Sequence, residues 1–203
     1  DASRAVGCRQ IHSDLVRIAS EEDAGKILWG DRPYDADGLI TNVPNLPLFA
    51  YGTDCCVITL YDPTSRSIGA VHAGWRGTAS GIALKAAVSM MSCYGADPYT
   101  LRAAIGPSIG KCCFETDSDV ADAFFALLDP AMDERIEKRG DKYHIDLKAI
   151  NRLWLLRAGI DPSRIDMHPD CTKCRPERYW SHRAMGDQRG GMAAMICLTE
   201  DAL

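Results

Sequence analysis

Ile68-Gly69-Ala70-Val71-His72-Ala73-Gly74-Trp75-Arg76-Gly77 changes character half-way along. Its first half, Ile68 to His72, is a short apolar run of strand type. Its second half is a glycine-bounded turn that opens a helix. Just upstream, Thr53-Asp54-Cys55-Cys56 leads into a second apolar run, Val57 to Tyr61, and Asp62-Pro63-Thr64-Ser65 joins the two as a hairpin. A thiol and an imidazole thus stand at the ends of adjacent strands, where side chains are held firmly yet stay within reach of a ligand. His12 in Gln10-Ile11-His12 is a third donor. Two imidazoles and one thiolate suit a three-ligand zinc site with one coordination position open. Taken singly, Cys55 and Cys56 also read as small strand residues facing opposite sides, and His72 as a core histidine.

Outward from this stretch the order is mixed α/β. Strands are expected at 15–19, 38–43, 47–51, 101–105 and 192–198. A helix is expected from Thr78 to Tyr94, with Ile82, Ala86 and Met90 on one stripe and Gly95 as its stop. A second starts at Asp117 or Ser118 and is stopped by Pro130, and a third covers 146–158. No repeat, low-complexity run or linker divides the chain, so 1–203 reads as one domain.

The 203 residues are 46% hydrophobic and 25% charged, as in ordinary globular proteins. A formal net charge of -5 argues against a nucleic-acid partner, which would want a basic face. No apolar run reaches the ~20 residues needed to span a bilayer. Nine cysteines without a secretory signal fit a reduced, cytoplasmic setting better than a disulfide scaffold. P-loop, GxGxxG, G-x-S-x-G and HExxH patterns are absent.

Other candidates are weaker alone. Gly106-Pro107-Ser108-Ile109-Gly110 is a turn after a buried strand that would offer backbone N–H groups to a phosphate or ribose, or simply connect two elements. His168-Pro169-Asp170-Cys171-Thr172-Lys173-Cys174 carries one CxxC, half of a structural zinc site by spacing. Arg76 and Arg183 are expected to face one cavity and bind phosphate or a ribose hydroxyl, because a guanidinium matches such oxygens bidentately. The alternative for Arg76 is an ion pair that shapes the turn. Asp54 is a candidate for proton transfer or ligand orientation, solely because it adjoins Cys55.

Gln10-Ile11-His12, Thr53-Asp54-Cys55, Val71 to Gly77, Ile105 to Gly110, Cys113-Phe114-Glu115, Asp170-Cys171-Thr172 and Ser181-His182-Arg183 occur in the order found in the YfiH-like family, also called the laccase-domain or polyphenol-oxidase family. The resemblance runs from about Gln10 to Leu198. It implies a single α/β domain of α+β type, with β-sheet layers flanked by helices. It implies zinc on His12, Cys55 and His72, with Cys55 and His72 also catalytic. Gly106, Pro107 and Phe114 join Arg76 and Arg183 as the expected substrate-binding set. The implied activity is phosphorolysis of adenosine, inosine and methylthioadenosine, together with adenosine deamination, so the partners are purine nucleosides and phosphate, with no nucleic acid and no membrane.

Two departures stand out. Family members carry a longer segment before the Gln-x-His motif, so the chain is expected to lack part of the family's N-terminal region. A second arginine of the family pattern is replaced by Ala184. The family's older label is a copper-dependent phenol oxidase, and Cu2+ is the alternative metal. Five histidines, however, are too few for a multicopper cluster within one chain. A third reading treats Cys55 as a nucleophile activated by His72, as in Cys-His deamidases.

Overall fold

The computed structural model describes residues 1–26 and 34–199. The chain runs β1 (Val16–Ile18), β2 (Gly38–Thr41), β3 (Leu48–Gly52), β4 (Cys56–Asp62), β5 (Ser67–Ala73), α1 (Trp75–Ala79), α2 (Ile82–Tyr94), β6 (Arg102–Ile105), β7 (Glu115–Thr116), α3 (Ser118–Phe125), α4 (Pro130–Asp133), β8 (Ile136–Arg139), β9 (Lys142–Ile145), α5 (Leu147–Arg157), β10 (Ile165–Met167), α6 (His182–Met185) and β11 (Met192–Ile196).

Six strands form the central sheet in the order β1-β2-β5-β4-β6-β10. Its inner pairs are antiparallel, while β1 on β2 and β10 on β6 are parallel. Every residue of β5 is buried, as expected of a strand covered on both faces. Side chains alternate between two cores. Ile40, Ile58, Val71 and Ala73 pack with Ile82, Ala86 and Met90 of α2 and with Ile150 and Leu155 of α5. Leu39, Val57, Ile68 and Ala70 pack on the other side with Leu48 and Ala50 of β3 and Ala194 and Ile196 of β11. Strands β3 and β11 pair antiparallel as a separate two-stranded layer. The result is helices, mixed sheet and a two-stranded cover, the expected α/β domain of layered sheets and helices.

Two helix expectations are corrected. The 78–94 helix is broken into α1 and α2 because Gly81 takes the left-handed conformation, φ 74°, between them. Pro130 does not merely end a helix: it occupies the first turn of α4, where its missing N–H costs nothing, and Asp129 caps that helix. The β8–β9 hairpin, β10 and α6 went unforeseen; each is four residues or fewer.

Register places the chemistry. Antiparallel pairing matches Val57 with His72 and Cys56 with Ala73, so Cys55, at the entry to β4, lies beside the end of β5. Gly38 pairs with Val71, which sets Asp37 beside His72; the His72 N–H donates to the Asp37 carbonyl at 2.7 Å. Parallel pairing of Val16 with Gly38 brings the segment before β1, including His12, to the same edge.

Candidate functional site

His12, Cys55 and His72 each present a ligand atom within 4.8 Å of the others. The two imidazoles meet edge to face, with centroids 4.9 Å apart. Gly74 lies beneath them. A Cβ there would meet His12 Cδ2 at 3.0 Å, Cys55 Sγ at 3.4 Å and His72 Cε1 at 3.5 Å, so the glycine keeps the three donors together.

Asp37, which the sequence reading did not single out, organises this cluster. Its carboxylate is fully buried. One oxygen accepts from the backbone N–H of His12 at 3.0 Å and from His72 Nδ1 at 2.8 Å. The other accepts from the N–H groups of Ile11 and Ser13 and from the Ser13 hydroxyl, at 3.2, 2.6 and 2.7 Å. Burial alone would raise this carboxyl, but the bonds from His72 and Ser13 outweigh it and hold the group down to about 2. With Nδ1–H committed to Asp37, the Nε2 lone pair of His72 is free for a metal, the usual carboxylate–histidine arrangement of metal sites. The same three N–H bonds hold His12 at φ 60°, a strained conformation for a side-chain-bearing residue.

The donor chemistry fits a divalent ion. Burial, then the proton-repelling presence of His72 set against Asp37, keeps the His12 imidazole below its ordinary value and so neutral. Burial, followed by Cys56 and Asp54, pushes the Cys55 thiol up to about 12. A cation at this point offsets that penalty and makes Cys55 a thiolate ligand. Neutral imidazoles and a thiolate form a zinc or copper donor set.

The cluster opens into a cavity of about 540 Å³ lined by His12, Asp54, Cys55, Phe114, Arg183 and Arg189, among others. That is within the range of small-ligand sites. Asp54 is fixed from two sides: Thr172 Oγ1 donates to it at 2.6 Å and the Arg183 backbone N–H at 2.8 Å. The Arg183 guanidinium donates to the Glu115 carbonyl at 2.8 Å and lies over the Phe114 ring at 5.8 Å. Gln10 anchors the wall by exchanging two 2.8 Å bonds with the Tyr51 backbone.

Three of the expected substrate residues lie elsewhere. Arg76 is exposed and not in the lining: its guanidinium lies over the Trp75 ring at 4.2 Å, a cation–π contact, although its charge still reaches His12 and helps lower that imidazole. Gly106 and Pro107 line a smaller neighbouring cavity of about 60 Å³, because the Gly106 N–H is bonded to the Val57 carbonyl in the sheet. Arg189 and His182, in contrast, do line the main cavity. Arg189 Nε donates to His182 Nδ1 at 3.2 Å. A guanidinium cannot accept, so the His182 proton is on Nε2. The sequence signal for Arg189 was its place before Gly190-Gly191, close to the Ser-His-Arg run; it supplies a second cation where the family's adjacent arginine is missing.

A family model described as "Multi-copper polyphenol oxidoreductase laccase" matches residues 1–199. The purine nucleoside phosphorylase YlmD of Bacillus subtilis (strain 168) is 33% identical over 196 residues, 94% of this chain and 69% of the relative. The adenosine deaminase RL5 from an unknown prokaryotic organism is 35% identical over 190 residues, 90% of this chain and 70% of the relative. The crystal structure of the hypothetical protein YfiH of Bacillus licheniformis superposes with a TM-score of 0.93 at 34% identity, covering 98% of this chain and 76% of that one. With its fold, its His-Cys-His cluster and its matched length all in agreement, the chain belongs to the YfiH-like, laccase-domain family.

Proposed function

We propose that this protein is a purine nucleoside enzyme that cleaves the N-glycosidic bond of adenosine, inosine or methylthioadenosine with phosphate and also deaminates adenosine, with zinc on His12, Cys55 and His72. The observation that carries the reading is the convergence of these donors on a cavity that also holds two arginines and a fixed carboxylate. The relatives named as a phosphorylase and a deaminase support the two activities.

A zinc ion held by His12, Cys55 and His72 would supply Lewis-acid chemistry. The chain's own residues do the rest. Arg183 and Arg189 bind and orient phosphate in a protein that is otherwise net acidic. Phe114 gives the sugar or base an apolar wall. In phosphorolysis, negative charge builds on the departing purine, and His182, whose Nε2 carries the proton, is the donor that neutralises it. In deamination, Asp54 orients the water that attacks C6, receives its proton and returns it to the amino group, which leaves as ammonia to give inosine. Its two fixed bonds set the direction of its remaining lone pairs.

The other readings fare less well. Of the five histidines, His12, His72 and His182 line the cavity, whereas His144 bonds the Lys111 carbonyl and His168 stacks near Tyr179. This leaves no set of imidazoles for several coppers within one chain. Cys55 as a free nucleophile is told from this reading by metal content, since a thiolate held on zinc is not free to attack. The test is to incubate zinc-loaded protein with adenosine and with inosine, with and without phosphate, and to identify the products. Free base plus ribose 1-phosphate only with phosphate, and inosine from adenosine without it, are expected. Oxidation of a phenol with neither nucleoside reaction would overturn the proposal.

A further inference from the structure

Four cysteines outside the nucleoside site come together. Cys112 and Cys113 follow the β6 turn, Cys171 and Cys174 form the CxxC, and their four Sγ atoms all lie within 4.8 Å of one another. Cys113 Sγ is 3.4 Å and Cys112 Sγ 3.7 Å from Cys174 Sγ, and all four thiols are free. A disulfide would require roughly 2.05 Å. Four sulfurs placed tetrahedrally at ~2.3 Å from one zinc ion are roughly 3.8 Å apart. We propose that Cys112, Cys113, Cys171 and Cys174 form a second zinc site, a closed four-thiolate structural centre separate from His12, Cys55 and His72.

The CxxC was half a site by spacing, and the fold brings the adjacent pair to it from a distant loop. The backbone around the cluster is built for ligands. The Gly110 N–H donates to Cys171 Sγ at 3.2 Å, the bond that thiolate ligands receive in metal knuckles. A Cβ at Gly110 would meet Cys171 Cβ at 3.2 Å and Cys112 Sγ at 3.3 Å, so glycine at this position keeps the cradle open. Ser108 and Cys171 form a β-bridge that fixes one loop against the other. Lys111, Lys173 and Arg175 flank the ligands in sequence, with Lys111 3.5 Å from Glu137 and Arg175 3.7 Å from Glu177. Packing does not account for the cluster, since Cys112 and Cys174 are exposed.

The centre would act on the cavity from behind. It ties the loop ending in Phe114, a cavity wall, to the loop containing Thr172, which holds Asp54. Its role is therefore to fix these residues, and it makes no contact with substrate. The inference stands on sulfur geometry and does not depend on the nucleoside reading.

Metal content of the purified full chain, measured by mass spectrometry, tests it. Wild type is expected to carry two zinc ions per chain. Cys55→Ala should keep one, and Cys112→Ser/Cys174→Ser should keep one. If the latter variant fails to fold, the cobalt-substituted Cys55→Ala protein decides. Its absorption should show the intense sulfur-to-cobalt charge transfer of four thiolates. Cobalt bound with fewer thiolates, all eight remaining thiols free with no metal bound in Cys55→Ala, iron in place of zinc, or a native mass lowered by paired cysteines would each overturn the proposal.

Discussion

Asp37→Asn is the most discriminating single change, because the structure fixes what it must do. The asparagine retains one acceptor oxygen and replaces the other with an NH2 donor. At the position facing Ile11, Ser13 and the Ser13 hydroxyl, that donor would oppose three hydrogen-bond donors. At the position facing His12 N–H and His72 Nδ1 it opposes only two, and His72 can relieve one conflict by moving its proton to Nε2. The second arrangement therefore wins, and it removes the lone pair that His72 offers a metal. The charge-assisted bond from the His12 N–H is lost and the one with His72 becomes neutral, so, at ~1.5–3 kcal/mol for a bond to a charged group, the folded state should lose about 3 kcal/mol. Metal affinity should fall roughly 10- to 100-fold. Urea unfolding measures the first quantity, and zinc competition with a chromogenic chelator measures the second. Wild-type zinc affinity in a folded Asp37→Asn protein would refute the assignment of Asp37 as the group that orients His72.

Arg189→Ala should raise the KM for phosphate far more than that for nucleoside, whereas Arg76→Ala should leave phosphate dependence near wild type; steady-state kinetics at varied phosphate separate the two, and the reverse pattern would restore Arg76 to the pocket. Gly74→Ala pushes a methyl group against His12 and Cys55, so chelator competition should show weaker zinc binding with little change in melting temperature. Buried Asp62 is held below the ordinary carboxylate range because bonds from Thr100, Ser65 and Asp97 outweigh burial. Its contribution to stability is complete above the unfolded carboxyl pKa of ~3.9 and is lost as pH falls through the lower folded value. Asp62→Asn should therefore flatten the acid side of the stability–pH curve, and an unchanged curve would contradict that role.

The sheet and the metal cluster were legible for the same reason. A hairpin with both strands apolar and buried fixes its own register, and that register puts Cys55 beside His72. His12 was legible only as a candidate donor and, through the resemblance, as a ligand; its approach depends on Asp37 and on parallel pairing of β1 with β2, neither of which leaves a local pattern. Arg76 read as a pocket residue because it follows the histidine strand. The one-turn helix α1 instead lays it on Trp75, a contact no spacing rule foresees. His182 was visible in the Ser181-His182-Arg183 run, but Arg189 was hidden: it follows the short turn after α6, and no motif marks its approach to His182. The four-cysteine cluster joins residues about sixty positions apart in sequence, so only half of it showed as a motif.

The central claim is that one His-Cys-His metal site serves both nucleoside reactions. It is tested most directly by assaying phosphorolysis of inosine and deamination of adenosine side by side in the wild type and in Cys55→Ala, each first stripped of metal and then titrated with zinc. The account predicts that both wild-type activities rise together with zinc and that both are absent from a folded Cys55→Ala protein at every zinc level. Full phosphorolysis by Cys55→Ala, with deamination alone lost, would contradict it.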